Sequence, residues 1–258
     1  MMRRLSIIGV GSGHPDQVTV QAVRALDAAD VLFVVTKDGR EELAEARRQI
    51  VARHRTTGPL REVALSDPHR PWRTAPDYRA AVARWREQRT ERWERAIADE
   101  LADGETGAFL AWGDPSLYES TLAIVRAIEA RGDVPLEIEV IPGVSSVHAL
   151  TARHRIPLNR VGRAVQITPA RLLADGMPDG VDDVVVMLDA HGAIAQIPPE
   201  GIDVYWGAYL GTDDELLISG PLADVAPEIL RVREAASSRK GWMFDISLLR
   251  RRDQGDAW

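Results

Sequence analysis

From Leu5 to Ile141, short apolar runs of strand length alternate with stretches whose apolar residues recur at helical spacing. Leu5 to Val10, Val31 to Val35, Arg61 to Leu65, Gly107 to Trp112 and Pro135 to Ile141 read as strands. Val18 to Ala28, Glu41 to His54, Tyr78 to Leu101 and Leu117 to Glu129 read as helices. This β-α-β rhythm argues for a mostly parallel sheet covered by helices. The stripe of the long third helix includes Val82, Trp85, Trp93 and Ile97. Its tryptophans fit core or interface anchors better than base-stacking platforms.

The pattern changes near Ile156 to Gly162, where Pro157, Asn159 and Gly162 cluster. Beyond it the strand candidates Ala164 to Thr168, Asp183 to Leu188, Val204 to Tyr209, Glu215 to Ser219 and Trp242 to Leu249 lie close together. A smaller, partly antiparallel α/β domain is the simplest reading. A length of 258 residues agrees with roughly two domains, here 1–156 and 157–258. The closing Leu249-Arg250-Arg251-Arg252 reads as a solvated terminus.

Composition narrows the function classes. Hydrophobic content of 45% and charged content of 28% are those of a soluble globular protein. The absence of cysteine excludes disulfides, thiolate metal sites and a cysteine nucleophile, and no metal-ligand cluster stands out. No apolar run reaches the length of a membrane span. The charged start Met1-Met2-Arg3-Arg4 is followed by too short an apolar stretch for a signal peptide, so a cytoplasmic location is expected. A net charge of -7 disfavours nucleic-acid binding through phosphate neutralisation.

Three strand-end loops carry the candidate chemistry. The first is GVGSGHPD (9–16), whose G-x-G-x-G spacing departs from the G-x-G-x-x-G of a dinucleotide site. Asp30 precedes the second strand, the wrong place for a ribose clamp. The glycines still mark a tight turn, either a bare turn or one that a ligand approaches closely. Pro15 extends His14, and Asp16 is a candidate cap for the next helix. The second loop is AWGDPSLYEST (111–121), where Asp114 ends a strand either as a ligand-facing carboxylate or as an Asp-Pro turn. The third is IPGVSSVHAL (141–150), where Ser145 and Ser146 cap a helix or offer hydroxyls and amides to a ligand.

In this order and at these distances, the three loops resemble the tetrapyrrole methylase family. VVVMLDA (184–190) and YLGTDDELLISGPL (209–222) extend the resemblance over essentially the whole chain. It implies the tetrapyrrole methylase fold, two α/β domains with the active site in the cleft between them, and a homodimer. It implies S-adenosylmethionine as methyl donor and S-adenosylhomocysteine as product. The family's cofactor contacts fall on Val10, Trp112, Gly113, Asp114, Leu117, Ser145, Ser146, Met187, Gly211 and Met243. The glycine loop, with Gly11 and Gly13, is expected to face the tetrapyrrole.

The stretches TGAFLAWGDPSLYESTL, ARHRIPLNRVG, VYWGAYLGTDDELLISG and RKGWMFDISLLRR point within the family to methylation of C1 of precorrin-5 with loss of its acetyl group as acetate. A substrate with many carboxylates calls for arginines, and Arg153, Arg155 and Arg160 (with His154) are candidates against plain surface charge. The family usually has Asp where this chain has His14. Here His14 either assists acetyl release, holds a substrate carboxylate, or only shapes the loop. The alternatives are methylation of another tetrapyrrole carbon or of ribosomal RNA, a nicotinamide-dependent oxidoreductase, and a non-catalytic binding protein.

Overall fold

The computed structural model describes residues 2–36, 41–68, 75–173, 176–189, 192–240 and 243–252. The chain forms two compact units. The first comprises Met1–Gly11 and Pro15–Val144, the second Ser12–His14 and Ser145–Trp258.

The first unit is a parallel sheet of β1 (Arg3–Gly9), β2 (Val31–Thr36), β3 (Arg61–Ser66), β4 (Thr106–Ala111) and β5 (Leu136–Ile141), in the order β3-β2-β4-β1-β5. Helices α1 (Val20–Ala28), α2 (Glu41–His54), α3 (Tyr78–Glu100) and α4 (Thr121–Arg131) connect the strands. Its inner strands β1, β2 and β4 read as near-continuous apolar runs because both faces are covered, whereas the edge strands β3 and β5 carry polar residues between the apolar ones. Leu5, Ile7, Phe33 and Phe109 point to one face, where Trp93 and Ile97 of α3 and Ile124 and Ile128 of α4 meet them. Ile8, Leu32, Val34 and Leu110 point to the other, under Ala22 and Leu26 of α1 and Ala44 and Ile50 of α2. Phe109 stacks between Trp93 and Phe33, with centroids 4.8 and 5.2 Å away, so the tryptophan of α3 is a core anchor. Register matters most for the site. Gly9 pairs with Ala111 and Ile8 with Ile141, so β1, β4 and β5 end level and release their glycine loops side by side.

The second unit holds β6 (Val165–Pro169), β7 (Asp183–Met187), β8 (Ile202–Ala208), β9 (Leu216–Pro221) and β10 (Asp245–Arg251), in the order β6-β7-β10-β8-β9. Only β6 and β7 run parallel; the other pairs are antiparallel. Helices α5 (Ser146–His154) and α6 (Leu222–Lys240) pack on this sheet. The division falls before α5, not after it as the Pro157–Gly162 cluster suggests, because α5 packs on β8, β9 and β10.

Three sequence expectations need correction. The arginine-rich end is not a solvated tail: Arg250 and Arg251 lie in β10, the middle strand of its sheet, and Arg250 pairs with Asp183. That strand begins at Asp245; Trp242 lies outside the described residues. Helix α4 starts at Thr121, not near Leu117, because the 113–118 segment spends its residues on a turn. Among the described residues, no helix is long and apolar enough to cross a membrane.

Candidate active site

In the first unit the three glycine loops pack backbone against backbone. A Cβ on Gly9 would lie 2.6 Å from Gly143 N and 2.9 Å from Gly113 O, closer than real Cβ contacts come. Gly113 N donates to Gly11 O at 2.8 Å and Gly11 N to Gly113 O at 3.3 Å, an isolated antiparallel bridge. Both bridge residues are left-handed, with φ of 85° at Gly11 and 72° at Gly113, the conformation that favours glycine. The approach that demands glycine at positions 9 and 143 is therefore that of a neighbouring loop.

Asp114 joins two of these loops. Its Oδ2 accepts from Gly143 N at 2.8 Å, while Oδ1 accepts from Ser116 N at 2.9 Å and bonds the Ser116 hydroxyl. The Asp-Pro turn of the sequence reading is thus present, with a cross-loop brace added. Val10 is buried, whereas Trp112 and Leu117 are half-buried. Tyr118 takes a left-handed φ of 53°, uncommon for a residue with a Cβ.

Sequence reasoning missed Arg47 of α2. Its Nε donates to Leu110 O at 3.0 Å, and its guanidinium lies 6.0 Å from the Trp112 ring centroid. Burial pushes its pKa down, with the Glu119 charge acting in the opposite direction. Its signal was a position three residues after Ala44 and three before Ile50, on the buried stripe of α2. Asp16 does not cap α1. It sits in a short 3-10 turn and pairs with Arg53 at 2.6 Å, while Thr19 supplies the cap. Asp30 accepts from Thr106 N at 2.9 Å, at the start of β4, far along the strand from any ribose position.

In the second unit, Ser145 is the N-cap of α5. Its Oγ lies 2.8 Å from His148 Nδ1 and accepts weakly from His148 N at 3.5 Å. Ser146 begins the helix, half-buried. Met187 ends β7, and Leu188 follows with φ of 55° and 59% exposure. Met243 packs half-buried against the core of this unit.

The turn after β8 is held tightly. Thr212 Oγ1 donates to Tyr209 O at 2.7 Å, and Gly211 N to Glu215 Oε2 at 2.8 Å. Ser12–His14 seats against this turn: a Cβ on Gly211 would lie 2.6 Å from His14 N, and one on Gly13 2.9 Å from Thr212 Cγ2. The His14 side chain itself is exposed.

The three candidate arginines part company. Arg153 is exposed and pairs with Glu215 at 2.5 Å, which links it to the Gly211 turn. Arg155 is the exposed, left-handed C-cap of α5. Arg160 is buried, with its Nε 3.4 Å from Asp183, a residue with no exposed surface. Its charge is enclosed because the segment after α5 folds back onto β7. Among the described residues, no group of His, Cys, Asp and Glu is placed to hold a metal ion.

The model of the family described as Tetrapyrrole (Corrin/Porphyrin) Methylases matches residues 4–226. This chain belongs to the tetrapyrrole methylase family. The methylase is 47% identical over 252 residues to a protein of Sinorhizobium sp named precorrin-6A synthase [deacetylating], spanning 97% of this chain and 96% of that one. Among solved structures, it is similar to a cobalamin synthesis related protein (CobF) from Corynebacterium diphtheriae. The TM-score there is 0.83 at 32% identity, covering 98% of this chain and 100% of that one. A uroporphyrin-III C-methyltransferase of Thermus thermophilus, complexed with S-adenosylhomocysteine, shares the fold at a TM-score of 0.59 and 19% identity, over 95% and 96% of the two chains.

Proposed function

We propose that this tetrapyrrole methylase transfers a methyl group from S-adenosylmethionine to C1 of precorrin-5 and releases the acetyl group as acetate, yielding precorrin-6A. The observation that carries this reading is the 47% identity to precorrin-6A synthase [deacetylating] over 97% of the chain. S-adenosylmethionine supplies a methyl on a sulfonium, an electrophile whose leaving group is already good. What remains for the protein is to position the reactants and exclude water.

In the first unit, the cofactor contacts of this reading are Val10, Trp112, Gly113, Asp114 and Leu117. Asp114 acts there chiefly by holding the 113–117 turn to Gly143, so that backbone groups of both loops keep their aim. In the second unit they are Ser145, Ser146, Met187, Gly211 and Met243. The exposed left-handed step at Leu188 and the start of α5 supply backbone polar groups that suit a polar cofactor. Gly11, Gly13 and His14 belong to the tetrapyrrole side, with Arg153 and Arg155 as carboxylate partners. His14 takes the proton from the water that attacks the acetyl carbonyl, or holds a substrate carboxylate. A cytoplasmic homodimer completes the reading.

The test is incubation with precorrin-5 and S-adenosylmethionine, followed by mass spectrometry and an acetate assay. Precorrin-6A, S-adenosylhomocysteine and acetate are expected in equal amounts. Methylation without acetate, or at another carbon, overturns the substrate assignment. In His14→Asn, a base role predicts a methylated, still acetylated product. A carboxylate contact predicts that both activities fall together.

A further inference from the structure

The buried stripe of α3 runs Ala81, Trp85, Arg89, Trp93 and Ile97, and an arginine in its centre is out of keeping with the rest. The side chain of Arg89 is 4% exposed. Its Nε donates to Asp67 Oδ1 at 2.6 Å, and its Nη1 to Ser120 Oγ at 2.8 Å. The guanidinium lies 4.5 Å from the Trp93 ring centroid and 5.2 Å from that of Trp85, and Trp85 Nε1 donates to Pro68 O at 2.9 Å. Asp67 and Pro68 directly follow β3, and Ser120 directly precedes α4.

Stability alone does not account for this cluster. A buried ion pair is commonly no better than well-packed apolar residues of the same volume. The serine is also diverted from its usual work. Ser120 occupies the cap position of α4 but makes no cap bond, and Glu119 Oε1 accepts from Thr121 N at 2.9 Å in its place. A serine at a helix start ordinarily caps it. Here its hydroxyl is turned towards α3.

We propose that Arg89 is a positioning residue for the 112–120 segment, tying the start of α4 through Ser120 to the end of β3 through Asp67. The other end of that segment is already fixed by the Gly11–Gly113 bridge and by Asp114 on Gly143. Between the two anchors lies the left-handed Tyr118, a conformation that persists only where its surroundings impose it. Arg89 therefore acts on cofactor binding from beneath, through the segment's shape, and touches no reacting atom. The inference rests on the reading of this segment as part of the S-adenosylmethionine site.

The experiment measures S-adenosylmethionine affinity by calorimetry and melting temperature for the wild type, Arg89→Met, Ser120→Ala and the double variant. Ser120→Ala removes one hydroxyl while Glu119 keeps the cap, so the protein is expected to stay folded with a melting temperature only a few degrees lower. Its Kd should rise about tenfold, as for a lost hydrogen bond to a charged group. Arg89→Met should weaken binding at least as much, and the double variant no further, because both changes break the same link. Wild-type affinity in folded Ser120→Ala overturns the assignment, as does a double variant whose losses add. A merely structural Arg89 would lower the melting temperature and leave the affinity of the folded protein unchanged. If Arg89→Met does not fold, Ser120→Ala decides alone. A wild-type protein that fails to bind S-adenosylmethionine overturns the underlying reading, and the assignment with it.

Discussion

Asp183 has no exposed surface and lies between two arginines, with Arg250 Nε at 2.5 Å and Arg160 Nε at 3.4 Å. Arg250 also donates to Pro157 O at 3.0 Å and Leu158 O at 3.3 Å, so the cluster secures the segment after α5. Removing the carboxylate would leave enclosed cations without their counter-charge. Asp183→Ala is expected to cost about 3–5 kcal/mol, the range for breaking a buried pair from one side. Urea unfolding checks this, and an unchanged midpoint and slope would rule out a structural role for the pair. These residues also mark where sequence reading runs out. Arg160 and Arg250 look like surface or ligand charges in one dimension, because charge type carries no information about the strand that will cover it. Arg47 and Arg89 were hidden the other way, as cations on stripes whose apolar members were plain. By contrast Gly9, in the 9–13 loop, was legible as a point of close approach, though not what approaches it, while Gly113 and Gly143 read only as turn residues.

At the level of elements, strands and helices were legible within a few residues, since two-sided burial writes continuous apolar runs and helical stripes into the chain. The misplacements come from local polar contacts. Asp16 looked like the cap of α1, but Thr19 accepts from Ala22 N at 3.1 Å and sets the start at Val20. The start of α4 moved because Asp114 closes a turn on Ser116 and Tyr118 turns left-handed. Thr19→Ala should cost about 1 kcal/mol through loss of the cap. S-adenosylmethionine affinity should stay unchanged, because Thr19 lies outside the three strand-end loops. A thermal melt that superimposes on the wild type would show that the cap bond contributes nothing.

For the whole molecule, acid stability follows from carboxylates held below their ordinary range. Hydrogen bonding to Arg48 lowers Glu62, hydrogen bonding to Arg61 lowers Glu105, and hydrogen bonding to Lys240 and Arg239 lowers Asp214. The Thr56 backbone amide lowers Asp27. A depressed folded-state pKa contributes stability that is complete above the unfolded value and is lost as pH falls through the folded one. Asp245 works in the opposite direction. Burial raises it despite Arg233, so its penalty is relieved on acidification. With several groups against one, the melting temperature should fall below about pH 4, where unfolded carboxylates titrate. The fall should shrink in high salt, since the lowered groups keep part of their surface in contact with solvent. Equal melting temperatures at pH 7 and pH 3 would contradict this. The placement of Ser12–His14 in the second unit has one more consequence, in time. Gly13 leaves the ribosome about 200 residues before the Leu210–Thr212 turn it rests against, which at typical synthesis rates is a delay of roughly 10–40 s. The 12–14 loop thus waits for a turn made long after it before it can be seated.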